Sequence, residues 1–265
     1  MKRLDYIDTA KGILIILVVI GHILTGENYA RSWIWTFHIP AFFLITGLLI
    51  NHSSFKEKSF GSLLMSNIRS LVVPYFIFEA IGAFSCRVTH LKMANLNGYL
   101  YETFTLQYNN VVDWYLVTLF IAELIVFFIL KIHNTKVIAI LGIVSLILGM
   151  SNACTLLCRS LVAVFFILLG YMCEQYTTTK NSRVILLCII IVSAIAALNG
   201  RVDLNNMRFN NHFLYVLGSV SGSVLILSIS KLMPNRLLNT IGRNSLIIMG
   251  IHIPIIQIVR YLVAR

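Results

Sequence analysis

Lys11 and His22 lie eleven residues apart in one apolar run, DTAKGILIILVVIGHIL. At about 1.5 Å per residue that spacing covers roughly 16 Å, half of a bilayer's hydrocarbon core. Eleven steps of about 100° come close to three full turns, so a helix would put the ammonium and the imidazole on one face. An ionisable group inside such a helix is costly and marks function by default. Imidazole titrates near neutral pH, so His22 could act as a general base toward a hydroxyl, or carry an acyl group transiently. It could equally be an interhelical hydrogen-bonder. Gly21 beside it gives room for close approach.

Two more histidines stand two residues ahead of a proline: His38 in WIWTFHIPAFFLITGLL and His252 in GRNSLIIMGIHIPII. Proline removes a backbone donor and leaves a carbonyl free, which membrane depth tolerates only inside protein or beside a cavity. His38 and Pro40 are therefore expected to face the bundle interior, and Thr46-Gly47 to pack tightly. Arg69 precedes Pro74 by five residues in NIRSLVVPYF and is either a bidentate phosphate ligand or a snorkelling anchor. Glu79 and Glu123 read as buried acids that need partners, and Asp113-Trp114-Tyr115 as an aromatic-belt anchor. The segment GRVDLNNMRFNNH gathers Arg201, Asp203, Arg208, four asparagines and His212. It reads either as a loop that binds hydroxyl-rich ligands or as a solvated one. No carboxylate pair, P-loop or GxSxG elbow occurs, so any catalysis rests on histidine.

The elements that must hold these residues follow from composition. The 265 residues are 58% hydrophobic and 12% charged, against about 25% charged in soluble domains. Ten acids and 21 bases cannot cover a soluble surface of this size, which excludes a soluble enzyme and a disordered chain. The expected fold is an all-α, polytopic membrane helix bundle, one domain over 1–265. Nine spans are predicted near 11–26, 33–50, 67–86, 113–131, 136–151, 159–174, 184–199, 213–230 and 244–263. A tenth, re-entrant piece could lie in 95–108. The net charge of +11 is spread between the apolar runs, which argues for topology signals and not for nucleic acid. With the N-terminus in the cytoplasm, every lysine except Lys92 falls inside, so a multi-pass plasma-membrane protein with an inner N-terminus is expected. The five cysteines lack CxxC or zinc spacing, and no metal is expected. The first run, entered by Asp8 and Lys11, is not a cleavable signal peptide.

In this order the motifs resemble the acyltransferase-3 family of polytopic membrane acyltransferases, within it the fucose 4-O-acetylase-like branch. YIDTAKGILIILVVIGH is similar to its opening motif, a basic residue, ten residues, then histidine, with Lys11 where arginine is frequent. Phe37, Pro40, Phe42, Phe43, Thr46 and Gly47 resemble its second helix. Arg69, Pro74 and Tyr75 resemble its R-x-x-x-x-P-Y segment, DWYL a helix start, and GRNSLIIMGIHIP the closing pattern. Members usually have ten helices, are longer, and some carry a soluble domain; nine spans are read here. The resemblance implies an O-acyltransferase that moves an acyl group, usually acetyl from acetyl-CoA, to a hydroxyl of a cell-surface or lipid-linked glycan. Lys11 and Arg69 would then bind the donor phosphates and His22 would be catalytic, with His38, His252, Asp203 and Arg208 orienting the acceptor. The alternative from another class is a transporter or permease for a small anion or sugar, which broken helices and buried acids also suit. A b-type haem protein ligated by His22 and His38 is a third reading. Oligomeric state is not legible.

Overall fold

The structure is a computed structural model that describes residues 4–89, 98, 101, 103–104, 112–151 and 155–263. Ten helices are present among the described residues: α1 (Asp5–Ile23), α2 (Tyr29–Asn51), α3 (Phe60–Val88), α4 (Trp114–Leu130), α5 (Thr135–Gly149), α6 (Thr155–Met172), α7 (Ser182–Asn199), α8 (His212–Leu232), α9 (Arg236–Arg243) and α10 (Ser245–Val263). Nine of them coincide with the segments expected to span. Seven are long and apolar enough to cross a membrane, while α4 and α5 are apolar but shorter. The ninth, α9, is a short, strongly amphipathic helix that the periodicity did not single out. Most of the 95–108 piece lies outside the described residues.

Asparagine starts many of these helices. Asn28, Asn134, Asn181, Asn211 and Asn235 each accept a hydrogen bond from a backbone N–H in the first turn of α2, α5, α7, α8 and α9. A side-chain oxygen there satisfies donors that the helix itself leaves open. Between the caps, large apolar side chains stay exposed, among them Ile140, Ile143 and Ile147 on α5, Leu186, Leu187 and Ile190 on α7, and Ile255 and Val259 on α10. A helix apolar outside as well as inside is the mark of a lipid-facing span.

Backbone contacts divide the chain into two units, 1–58 with 121–245, and 59–120 with 246–265. In the first, α2 packs against α1, α6, α7 and α8, around Ile7, Leu14, Phe37, Leu44, Leu48 and Leu227. The tight Thr46-Gly47 contact is with α6, where a Cβ on Gly47 would lie 1.9 Å from the Ile167 carbonyl oxygen. Such backbone approach is how small residues join helices without a hydrophobic drive. The second unit contains α3, the start of α4, and nearly all of α10. Its α3 is continuous over 29 residues but widens to a π-turn at 68–72, where the Val73 N–H reaches back to the Ile68 carbonyl. Pro74 has no N–H for the Ser70 carbonyl and its ring crowds that carbonyl, which accounts for the widening.

Candidate active site

α1 carries Lys11 near its start and His22 near its end, on one unbroken helix as the spacing predicted. Beyond α1 the chain turns through Gly26 and re-enters at the Asn28 cap. The first turns of α2 then set out Arg31, Trp35 and His38 at i, i+4 and i+7, one helix face. Trp35 is the hub of this face. Its ring centroid lies 5.8 Å from that of His22 and 6.2 Å from that of His38. The Arg31 guanidinium carbon lies 4.4 Å from the indole centroid, and that of Arg201 5.1 Å, both within cation–π range. Gly21 explains itself here, since a Cβ on it would sit 2.8 Å from the Trp35 Nε1. Glycine makes the space in which the indole meets His22.

His38 is buried, and its Nδ1 donates to the Ile34 carbonyl at 2.9 Å. In a neutral ring that bond leaves the lone pair on Nε2. Pro40, two residues on, cannot bond the Thr36 carbonyl. The Ser219 hydroxyl of α8 does so instead, at 2.8 Å. The carbonyl freed by proline therefore faces the protein interior, as the sequence required.

The loop 200–211 closes over this region. An antiparallel bridge joins Asp203 and Arg208, with both backbone bonds at 2.8 Å. Gly200 opens the loop at φ 60°, ψ −147°, a conformation that essentially only glycine adopts. Its four asparagines are spent on the fold. Asn205 accepts from buried Arg159, and Asn206 donates to the Asp203 carboxylate. Asn210 donates to the Arg201 carbonyl, and Asn211 caps α8. The reading of these asparagines as ligand groups gives way to a structural one, since their polar atoms are used locally. Asp203 and Arg208, both expected near the acceptor, line a cavity of about 750 Å³ together with Glu27, Ser32, Arg201, Asn210 and His212. Arg201, which lines the cavity and contacts Trp35, links that space to the imidazoles.

At the far end of α1, Lys11 lies 3.1 Å from buried Asp8, which also takes Arg243 of α9 at 3.4 Å. In the second unit Arg69 sits on the π-turn, exposed and without an ion pair among the described residues. His252 is buried on α10, its Nδ1 2.7 Å from the Met249 carbonyl. Asp113 is no interfacial anchor: it is fully buried and lies near Glu79, also fully buried. Structure thus unites His22, His38, Asp203 and Arg208 in the first unit and separates Lys11 from them by the length of α1. Arg31 and Trp35 were missed; their spacing ahead of His38 was the available signal. Among the described residues no cluster of three or more histidines, cysteines or acids could hold a metal.

No curated protein and no solved structure matches the chain. The model of the acyltransferase-3 family, described as an acyltransferase domain, matches residues 4–265, nearly the whole sequence, and the chain belongs to that family.

Proposed function

We propose that this membrane acyltransferase is an O-acetyltransferase that takes acetyl from acetyl-CoA and delivers it to a hydroxyl of a cell-surface or lipid-linked glycan, in the manner of the fucose 4-O-acetylase-like branch. What supports this most is His22 in ring contact with Trp35, which joins it through Arg201 to the cavity. His22 accepts the hydroxyl proton as the oxygen attacks the thioester carbonyl. The new C–O bond forms, the C–S bond breaks, and the proton passes from imidazolium to the departing CoA thiolate. A positioned base of this kind contributes typically about 10²–10⁴-fold. Lys11, steadied by Asp8, receives the CoA phosphates in the first unit; the same role for Arg69, in the second unit, rests on the resemblance alone. His38, Asp203 and Arg208 orient the acceptor in the first unit, and the same role for His252, in the second, rests on the resemblance alone. The N-terminus is cytoplasmic in a plasma-membrane setting, where CoA resides, so Ser54→Cys should resist labelling from outside intact cells.

The test is transfer of radiolabelled acetyl from acetyl-CoA to glycan by the purified protein in liposomes. His22→Ala should abolish transfer and leave acetyl-CoA binding nearly intact. His22→Asn keeps a hydrogen bond but cannot take the proton, and should be as inactive. Near wild-type transfer by the Asn variant would make His22 structural.

A further inference from the structure

Arg31 and Arg201 meet at one indole, Arg201 and Arg208 line one cavity, and two acids stand against these three guanidiniums. Arg31 and Arg201 both approach the Trp35 ring, at 4.4 and 5.1 Å, so they lie within about 10 Å of each other. Arg31 donates through Nη1 to the Gly26 carbonyl at 3.2 Å, while its Nε is buried with no partner among the described residues. The Trp35 Nε1 is likewise buried and unpartnered. Arg208 lines the cavity with no ion pair or side-chain hydrogen bond among the described residues. Two acids line the same cavity. Asp203 lies 3.8 Å from Arg201 and already accepts from the backbone and side chain of Asn206. Glu27 is exposed and makes no ion pair among the described residues. Three guanidiniums against two carboxylates leave positive charge and unspent donors at this end of the first unit.

We propose that the acceptor is anionic: its carboxylate or phosphate is held by Arg201 and Arg208 with Arg31 behind them, which offers its hydroxyl to the imidazoles beside Trp35. This rests on the transferase reading above. Arginine's planar fork matches either anion bidentately, and the indole face suits a sugar ring. The charge would fix register, while the hydroxyls remain free for transfer. Selection would then act through acceptor binding, not through the chemical step.

The experiment compares three acceptors: a uronic-acid oligosaccharide, its carboxyl-reduced neutral form, and a glycerol phosphate oligomer. Transfer and calorimetric binding are both measured, with the full chain in liposomes. A charged acceptor should exceed the neutral one by about tenfold or more in kcat/KM, and whichever charged acceptor does so names the anion. Arg208→Gln, an exposed residue whose side chain holds nothing together, should erase the preference through KM and leave acetyl-CoA affinity unchanged. Arg183→Gln, outside the cavity at the start of α7, should change neither. Equal kcat/KM for charged and neutral acceptors would overturn the proposal. So would an Arg208→Gln variant whose acetyl-CoA affinity falls as far as its acceptor affinity, since the arginines would then serve the donor. If no acceptor is acetylated, the transferase reading fails; the binding arm still decides, with preference for a charged oligomer that Arg208→Gln removes supporting the subsite, and no preference refuting it.

Discussion

At one end of α1, buried Asp8 draws Lys11 to 3.1 Å and Arg243 to 3.4 Å, and Thr9 bonds Asn239 of α9. At the other end, Arg31 and Arg201 crowd a single indole, and the nearest acid stands 3.8 Å from one of them. The first end is closed: its charges compensate one another and its helices touch backbone to backbone, as a Cβ on Gly242 would lie 1.8 Å from the Asp8 carbonyl oxygen. The second is open: it has a cavity, unpartnered donors and ring contacts that a side chain can adjust. One helix therefore has a charge-compensated, closely packed terminus and an open one. Lys11 and His22 lie on one helix, yet they stand in opposite kinds of surroundings.

That contrast is broken most severely at the glycines. Gly242→Ala forces the α1 and α9 backbones apart, because a carbonyl cannot yield as a side chain can. Overpacking of this kind should cost about 3 kcal/mol or more, and little folded protein should be recovered. Gly21→Ala meets only the indole of Trp35, 2.8 Å away. It should fold, with the change appearing in transfer as His22 loses its ring contact. Detergent-stable yield by size-exclusion chromatography and transfer by the same samples separate the two. Equal yields would show that the first end is no more rigid than the second.

The acids give the next comparison. Asp8→Asn leaves Lys11 without its counter-charge and Arg243 with only the more distant Asp5, at 3.9 Å. The Asp8 side chain is 8% exposed but its partners are 23% and 44% exposed, so solvent recovers part of the loss. A destabilisation of about 1–3 kcal/mol is expected in thermal unfolding. Asp203→Asn gives up a longer contact to a half-exposed arginine and keeps the acceptor for Asn206. It should cost less than about 1 kcal/mol. If the two losses were alike, the closed end would owe nothing to its charges.

The sequence already held the helical segments, the shared helix of Lys11 and His22 and the interior face of Pro40, because each rests on period, length or the missing proline donor; the widening ahead of Pro74 was not read. Less of the site was legible. Arg31, Trp35 and Arg201 come together from positions up to 170 residues apart, and no local pattern encodes that meeting. The asparagines of 200–211 were ambiguous, since the same amide that binds a hydroxyl also caps a helix or closes a turn. Asp113 read as an anchor because its neighbours are aromatic, while the acid it meets, Glu79, lies on another helix. The amphipathic α9 is eight residues long, too short for periodicity to stand out from loop composition.

The smallest effect separates what proline does at the open end from what serine does there. Pro40 leaves the Thr36 carbonyl without a helical donor, and the Ser219 hydroxyl supplies one at 2.8 Å, fully buried. Ser219→Ala should therefore cost about 1–2 kcal/mol, the loss of a hydrogen bond together with a stranded buried acceptor. In a Pro40→Ala background residue 40 regains its N–H and can close the ladder onto Thr36. The same Ser219→Ala change should then cost only a few tenths of a kcal/mol. A double-mutant cycle on thermal unfolding reads the difference, about 1 kcal/mol of coupling between residues that share one carbonyl. Additive losses would mean that the carbonyl is satisfied without Ser219. In that case α8 would not hold the half of α2 that carries Arg31, Trp35 and His38, and the open end would have to owe its geometry to the loop 200–211 alone.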